Sequence, residues 1–219
     1  MLPSMSDRSR GVTKALAAPL WVILLVVSAC GSSDSDSSDD AVAGASAREL
    51  RTVPEFDAVI VDDGVVLTIG VDPEATGDVQ LQVSTDPDLL EALLTTVDDR
   101  TLTASVDGPE GGTNPSSPFE VSGEVTVLRD VVVRNGAEAT LRGAVAEITV
   151  SALGGATVDA TTLTAERVVV DADNGAVLTV CASESVTGTV SNGAALTVLC
   201  GGDSTEVVTG NAGTVTEDS

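Results

Sequence analysis

Apolar and polar residues alternate along most of this chain, with a period of two rather than 3.6. Val79, Leu81 and Val83 alternate with Gln80, Gln82 and Ser84, and Leu102, Ala104 and Val106 repeat the pattern. This spacing sends every second side chain to one face and predicts half-buried strands. Residues 56–61 and 65–69, the pair Val125 and Val127, and the run Val131-Val132-Val133 read the same way. One interruption is Asp86-Pro87-Asp88 before residues 89–94, which predicts one or two turns of helix with an aspartate near its start. Another is a loop rich in Gly, Pro and Ser over residues 108–118.

From Asn135 the chain repeats itself. The triplets Asn135-Gly136-Ala137, Gly154-Gly155-Ala156, Asn174-Gly175-Ala176 and Asn192-Gly193-Ala194 are followed by a weaker Asn211-Ala212-Gly213, at intervals of 19, 20, 18 and 19 positions. Small or apolar pairs precede them: Val131/Val133, Val150/Ala152, Val170/Ala172 and Gly188/Val190. Three positions past each central glycine stands Ala139, Val158, Leu178 or Leu196, and next to these Thr140, Asp159, Thr179 and Thr197. A period this regular marks a repeat architecture.

Two architectures use such a period. Asn-Gly between β runs is a signal for a tight hairpin turn, so each copy could be one hairpin of a meander. Alternatively each copy is one coil of a β-solenoid, with Gly136, Gly155, Gly175 and Gly193 at corners that need positive φ. A meander leaves an open sheet with an exposed edge. A solenoid stacks like on like, which accounts for the recurring Ala and Thr. The expected fold is therefore all-β: a right-handed parallel β-helix, or β-solenoid, with coils of about 19 residues. A β-rich N-terminal segment with one short helix precedes it.

The start of the chain reads differently. Residues 15–27 are an unbroken apolar run, preceded by Arg8, Arg10 and Lys14 and followed by Ser28-Ala29-Cys30. A charged start, a short apolar stretch and small residues at a cleavage point describe a secretory signal. A helix of that length covers only about 20 Å, short of the ~30 Å hydrocarbon core. Val27-Ser28-Ala29-Cys30 matches the bacterial lipobox, so residues 1–29 are expected to be cleaved and Cys30 to carry diacylglycerol, often with N-acylation. Two or more acyl chains hold a protein stably to a membrane. Residues 30–49, rich in Ser and Asp, read as a disordered tether, and residues 50–216 as the folded domain.

Composition narrows the partners. The chain has 10 basic and 34 acidic residues and a net charge of −24. Removing residues 1–29 takes away Arg8, Arg10, Lys14 and Asp7, which brings the charge to −26. Such a surface excludes nucleic acid and disfavours anionic lipid, while it favours cations and basic proteins. Trp21 lies in the signal, leaving Phe56 and Phe119 as the aromatic residues, so the core must be Val, Leu, Ile and Ala.

At this point the chain resembles the auto-transporter adhesin head GIN domain family of bacterial envelope proteins. The likeness begins at Arg51-Thr52-Val53-Pro54-Glu55-Phe56-Asp57-Ala58-Val59, continues through Leu89-Leu90 and Val97, and is clearest in the Gly-Ala corners up to Ala194. It spans roughly residues 50–210. The family's usual Ser before the corner Gly is mostly Asn here. The resemblance implies a right-handed β-helix-like domain at the cell surface or in the envelope, and it carries no established catalytic residues to transfer.

The search for chemistry is mostly negative. The chain has no histidine and no tyrosine, which excludes Ser-His-Asp and Cys-His catalysis and removes the usual zinc ligands. No Walker or dinucleotide-binding fingerprint occurs, and no cofactor is expected. Carboxylates remain. Asp171 and Asp173 lie two apart, so a strand would place them on one face, and paired acids can cleave glycosidic bonds. With Asn174 they also form a weak candidate calcium cluster, but the spacing departs from known calcium loops. A solvated acidic approach to a turn is the simpler reading, as are β-turns at Asp62-Asp63-Gly64 and Asp98-Asp99-Arg100.

The expected function is thus a non-catalytic surface module for binding or adhesion, lipid-anchored on the extracytoplasmic face of the cell membrane. Its expected partner is an unidentified envelope or surface protein or glycan. The alternative is an envelope glycan-acting enzyme with paired carboxylates. Cys181 and Cys200 are 19 residues apart, one coil length, and stacked strands lie 4.7–4.9 Å apart, within reach of a disulfide. Their offset from Gly175 and Gly193 differs by one residue, so a bridge needs a bulge or corner near Leu199-Cys200-Gly201-Gly202, and the alternative is two buried free thiols filling core positions.

Overall fold

The structure is a computed structural model that describes residues 46–107 and 117–218. Among the described residues it is all-β apart from one short 3₁₀ turn, Pro87–Leu89. The repeat builds a solenoid. β8 (Asp130–Arg134) leads through a corner into β9 (Glu138–Leu153), and β10 (Thr157–Asp173), β11 (Val177–Val190), β12 (Ala195–Leu199), β13 (Asp203–Thr209) and β14 (Thr214–Glu217) follow. The long strands β9, β10 and β11 bend from one side of the coil to the next. Their first parts stack on a wall that follows the corners, and their last parts on a wall that precedes them. All of these pairings are parallel.

Register explains the repeated letters. Val131, Val150, Val170 and Gly188 are successive partners, as are Val133, Ala152, Ala172 and Val190. On the following wall Ala139, Val158, Leu178 and Leu196 stack in turn. Except for the half-exposed Gly188, these positions are buried aliphatics. Small and branched side chains suit the narrow interior, where a misplaced methylene is felt.

The N-terminal segment does not simply precede the solenoid; it is threaded into it. β2 (Ala58–Val61) lies parallel between β6 (Thr101–Val106) and β8. β3 (Val66–Val71) lies parallel between β7 (Glu120–Val125) and β9. The chain thus lays down the β2–β3 rung first, leaves it, and returns with β6 and β7 on its far side. Three antiparallel strands close that end: β1 (Ala47–Val53) on β4 (Val79–Thr85), β4 on β7, and β5 (Leu93–Asp98) on β6.

The predicted helix at residues 89–94 shrinks to the single turn Pro87–Leu89, closed by Leu89 N–H donating to the Asp86 carbonyl at 2.9 Å. Leu93 and Leu94 belong to β5 instead, where Leu93 pairs with Val106 and is fully buried. Tertiary pairing overrode a local helical pattern too short to nucleate alone.

Candidate functional site

The four corner glycines all adopt positive φ, between 72° and 78°. Asn135, Asn174 and Asn192 before them are also left-handed, at 50–54°. Two consecutive residues of this kind make a tight turn, closed at one corner by Ala137 N–H donating to the Arg134 carbonyl at 3.0 Å. The flanking strands nonetheless pair with neighbouring rungs and not with each other, so the turn is a solenoid corner. The corners are also stitched together. The N–H groups of Gly136, Gly155, Gly175 and Gly193 donate to the carbonyls of Gly154, Asn174, Asn192 and Asn211 at 3.0–3.1 Å.

Asp63-Gly64-Val65 is a further corner of the same kind, which reading from sequence took for an ordinary turn. Asp63 and Gly64 are left-handed at 56° and 70°, Val65 is buried, and Leu67 three residues past the glycine stacks on Ala139. Aspartate in place of asparagine and valine in place of alanine hid the match.

Asp171 and Asp173 face outward from β10, and the neighbouring rung supplies donors to both. Thr189 Oγ1 donates to Asp171 at 2.8 Å. Asp173 accepts from Ser191 Oγ at 2.8 Å, Asn192 Nδ2 at 2.5 Å and Asn174 Nδ2 at 2.7 Å. The Ser191 hydroxyl first, then the Asn192 side chain and the Asn174 backbone N–H, hold the Asp173 carboxyl below its ordinary range. Asn192 reaches Asp173 from the neighbouring rung and Asn174 from the next position in its own, and both donate their amide nitrogen to the carboxylate. Among the described residues no group of three or more His, Cys, Asp or Glu is placed to hold a metal. Neither aspartate lines either of the two grooves described below.

Cys181 and Cys200 form a disulfide with Cα atoms 5.2 Å apart. Cys181 pairs in register with Leu199, one residue short of its partner. The mismatch is corrected where the chain turns at Cys200 and Gly201, both left-handed at 69° and 79°. Cys30 lies outside the described residues.

Two adjoining grooves mark the N-terminal half. One, of about 590 Å³, is lined among others by Gln80, Gln82, Ser122, Leu50, residues 75–78, Val127, Glu124, Arg100 and Arg142. The other, of about 570 Å³, shares Thr126 and Val127 and runs along Val71, Arg129, residues 144–147 and Thr149. The first opens onto the wall that follows the corners. There Gln82, Ser122, Thr68, Thr140, Asp159, Thr179, Thr197 and Thr216 are consecutive register partners pointing outward. Sequence periodicity had caught Thr140, Thr179 and Thr197. Thr68 and Ser122 were missed because their rungs are out of chain order.

Residues 110–202 match the family model described as "Putative auto-transporter adhesin, head GIN domain". The resemblance carried by the corners is borne out there. A solved structure described as a putative adhesin from Bacteroides fragilis is similar at 13% identity, covering 79% of this chain and 96% of that one, with a TM-score of 0.50. Another, a putative adhesin from Parabacteroides merdae, is similar at 14% identity over 80% of this chain and 97% of that one, with a TM-score of 0.39. At such identities the first likeness is one of fold. No curated protein sequence matches the chain. The GIN-domain match begins after β6 and therefore leaves out the β2–β3 rung that the solenoid is built upon.

Proposed function

We propose that this protein is a lipid-anchored, extracytoplasmic binding module that acts in adhesion without catalysis. The observation that carries the reading is the pair of outer walls held in register from rung to rung. They offer a long repeated surface, and the acids singled out for chemistry are engaged by neutral donors. The adhesin descriptions of the family and of the similar structures support it. The Cys181–Cys200 disulfide suits an oxidising compartment. The lipobox ending at Cys30 supplies the anchor, and among the described residues no helix is long and apolar enough to cross a membrane. Acidic charge at the surface keeps the domain away from anionic headgroups.

The test has two readouts. The wild-type protein is expected in the detergent phase with an acylated N-terminal Cys30, and Cys30→Ser releases it or leaves the signal uncleaved. Cells that carry the wild-type protein are expected to bind surfaces or neighbouring cells more strongly than cells that lack it. A mature N-terminus elsewhere with no acyl mass overturns the anchor, and unchanged attachment overturns adhesion.

A further inference from the structure

We infer that the first groove and the hydroxyl column on the adjoining wall form one track for a neutral, hydroxyl-rich glycan chain; this rests on the binding-module reading and names its ligand. The groove is lined by the side-chain amides of Gln82 and of Gln80, which also pairs with the Thr52 hydroxyl, by the Ser122 hydroxyl, and by Arg142 and Glu124. Amides and hydroxyls both donate and accept hydrogen bonds, Arg142 only donates and Glu124 only accepts. That mixture matches sugar hydroxyls, each of which is donor and acceptor at once. Leu50 and Val127, 59% and 40% exposed, give the apolar contact that the C–H face of a sugar needs.

Arg142 is placed for a ligand. Arg51, Arg100, Arg129, Arg134 and Arg167 are all ion-paired, whereas Arg142, like Arg48 outside the groove, makes no ion pair with any described residue in a chain where acids outnumber bases 34 to 10. Its side chain lies across Gly70, where an added Cβ would come within 3.1 Å of Arg142 Nε and 3.2 Å of Glu124 Cγ. Glycine at that register position leaves the guanidinium room beside the groove.

Charge selects a neutral occupant. A polyanion is repelled by a chain of net charge −24, and in the groove itself Glu55, Asp78 and Glu124 are nearly offset by Arg100 and Arg142, so the charge that draws cations to the chain as a whole is close to balanced there and an uncharged ligand is favoured. Length selects a chain over a single sugar. From Gln82 the register runs through Ser122, Thr68 and Thr140, then past Asp159 to Thr179, Thr197 and Thr216. One polar group per rung at 4.7–4.9 Å makes a line of about 34 Å. Without an aromatic platform each contact is weak, and strength comes from many contacts along the chain and many proteins on one surface.

The test is binding of the full mature protein to neutral tetrasaccharides of glucose, mannose and N-acetylglucosamine, against their disaccharides, polygalacturonate and polylysine. At least one tetrasaccharide is expected to bind, with its disaccharide about fivefold weaker or worse. Gln82→Ala and Arg142→Ala should each weaken it about fivefold or more. Thr140→Val should weaken the tetrasaccharide but not the disaccharide, and Asp171→Ala on the other wall should change nothing. All four positions are at the surface, and an unaltered melting temperature checks folding. No binding across the panel, binding indifferent to the groove variants, or preference for either charged polymer overturns the track. If cells carrying Gln82→Ala/Arg142→Ala protein attach as well as wild type, the track falls while the adhesion reading stands. If glycan binds but cells never attach, the adhesion reading falls alone.

Discussion

Residues 130–217 and residues 58–125 build the same rung in two ways. In the later half each rung is followed in sequence by the one that stacks on it, through β9, β10 and β11. In the earlier half the chain makes one rung from β2 and β3, goes off to build the cap, and comes back to the far side. The local pattern is nonetheless shared: Val59 and Val61, a left-handed Asp63-Gly64, then Leu67, against Val131 and Val133, a left-handed Asn135-Gly136, then Ala139. Stacking like on like is therefore a property of the rung and not of the order in which rungs are laid down. The two ends differ as well. Antiparallel strands cover the first end. At the last, polar residues take core register positions, Thr209 opposite Val190 and Glu217 opposite Val198, and Glu217 accepts from the Ser204 hydroxyl. Polar terminal repeats of this sort stop a solenoid from growing.

The comparison breaks most sharply if the later half is cut away from the threaded rung. A fragment of residues 117–219 is expected to lose cooperative unfolding altogether, because β7, β8 and the start of β9 lose their partners β3 and β2. Residues 46–219 should keep a single transition by circular dichroism. A cooperative melt of the shorter fragment would show that the repeat is self-sufficient.

The disulfide comes next. Replacing Cys181 and Cys200 together by Ser should cost about 3 kcal/mol through loop closure, read as a lower denaturant midpoint with an unchanged slope. The loss should fall on the last rungs, so protease cuts are expected first within β12–β14 and not in the capped end.

Corners in the two halves should respond alike. Gly64→Val and Gly175→Val each place a β-branched residue at φ near +70° to +76° with open space around the new Cβ. The cost is backbone strain alone, about 1–2 kcal/mol at each site by equilibrium unfolding. A cost at Gly175 with none at Gly64 would separate the threaded corner from the repeated ones.

The smallest effect is at the Asp173 clasp. Its carboxyl is held below the ordinary value by Ser191 and then Asn192, so its contribution is present above the unfolded value near pH ~3.9 and fades as pH falls through the folded value. Wild type should melt above Asp173→Asn at pH 6, and the gap should close toward pH 3. A gap independent of pH would mean that the carboxylate charge does not hold the rungs together.

Sequence by itself determined the rung. The spacing of Val, Ala and Leu around Asn-Gly fixed which side chains turn inward, because a strand alternates its faces and only glycine or asparagine readily accepts the left-handed corner. It also carried the Cys181–Cys200 pairing and the need for a corrective turn at Cys200-Gly201. What only tertiary structure decided is which rungs meet. Nothing local tells β3 to sit between β7 and β9, since each wall presents the same outward polar and inward apolar alternation to any neighbour. That choice rests on the summed fit of buried side chains such as Leu67 between Val121 and Ala139. The groove was hidden for the same reason: Gln82, Ser122 and Thr68 become neighbours only through pairings far apart in the chain.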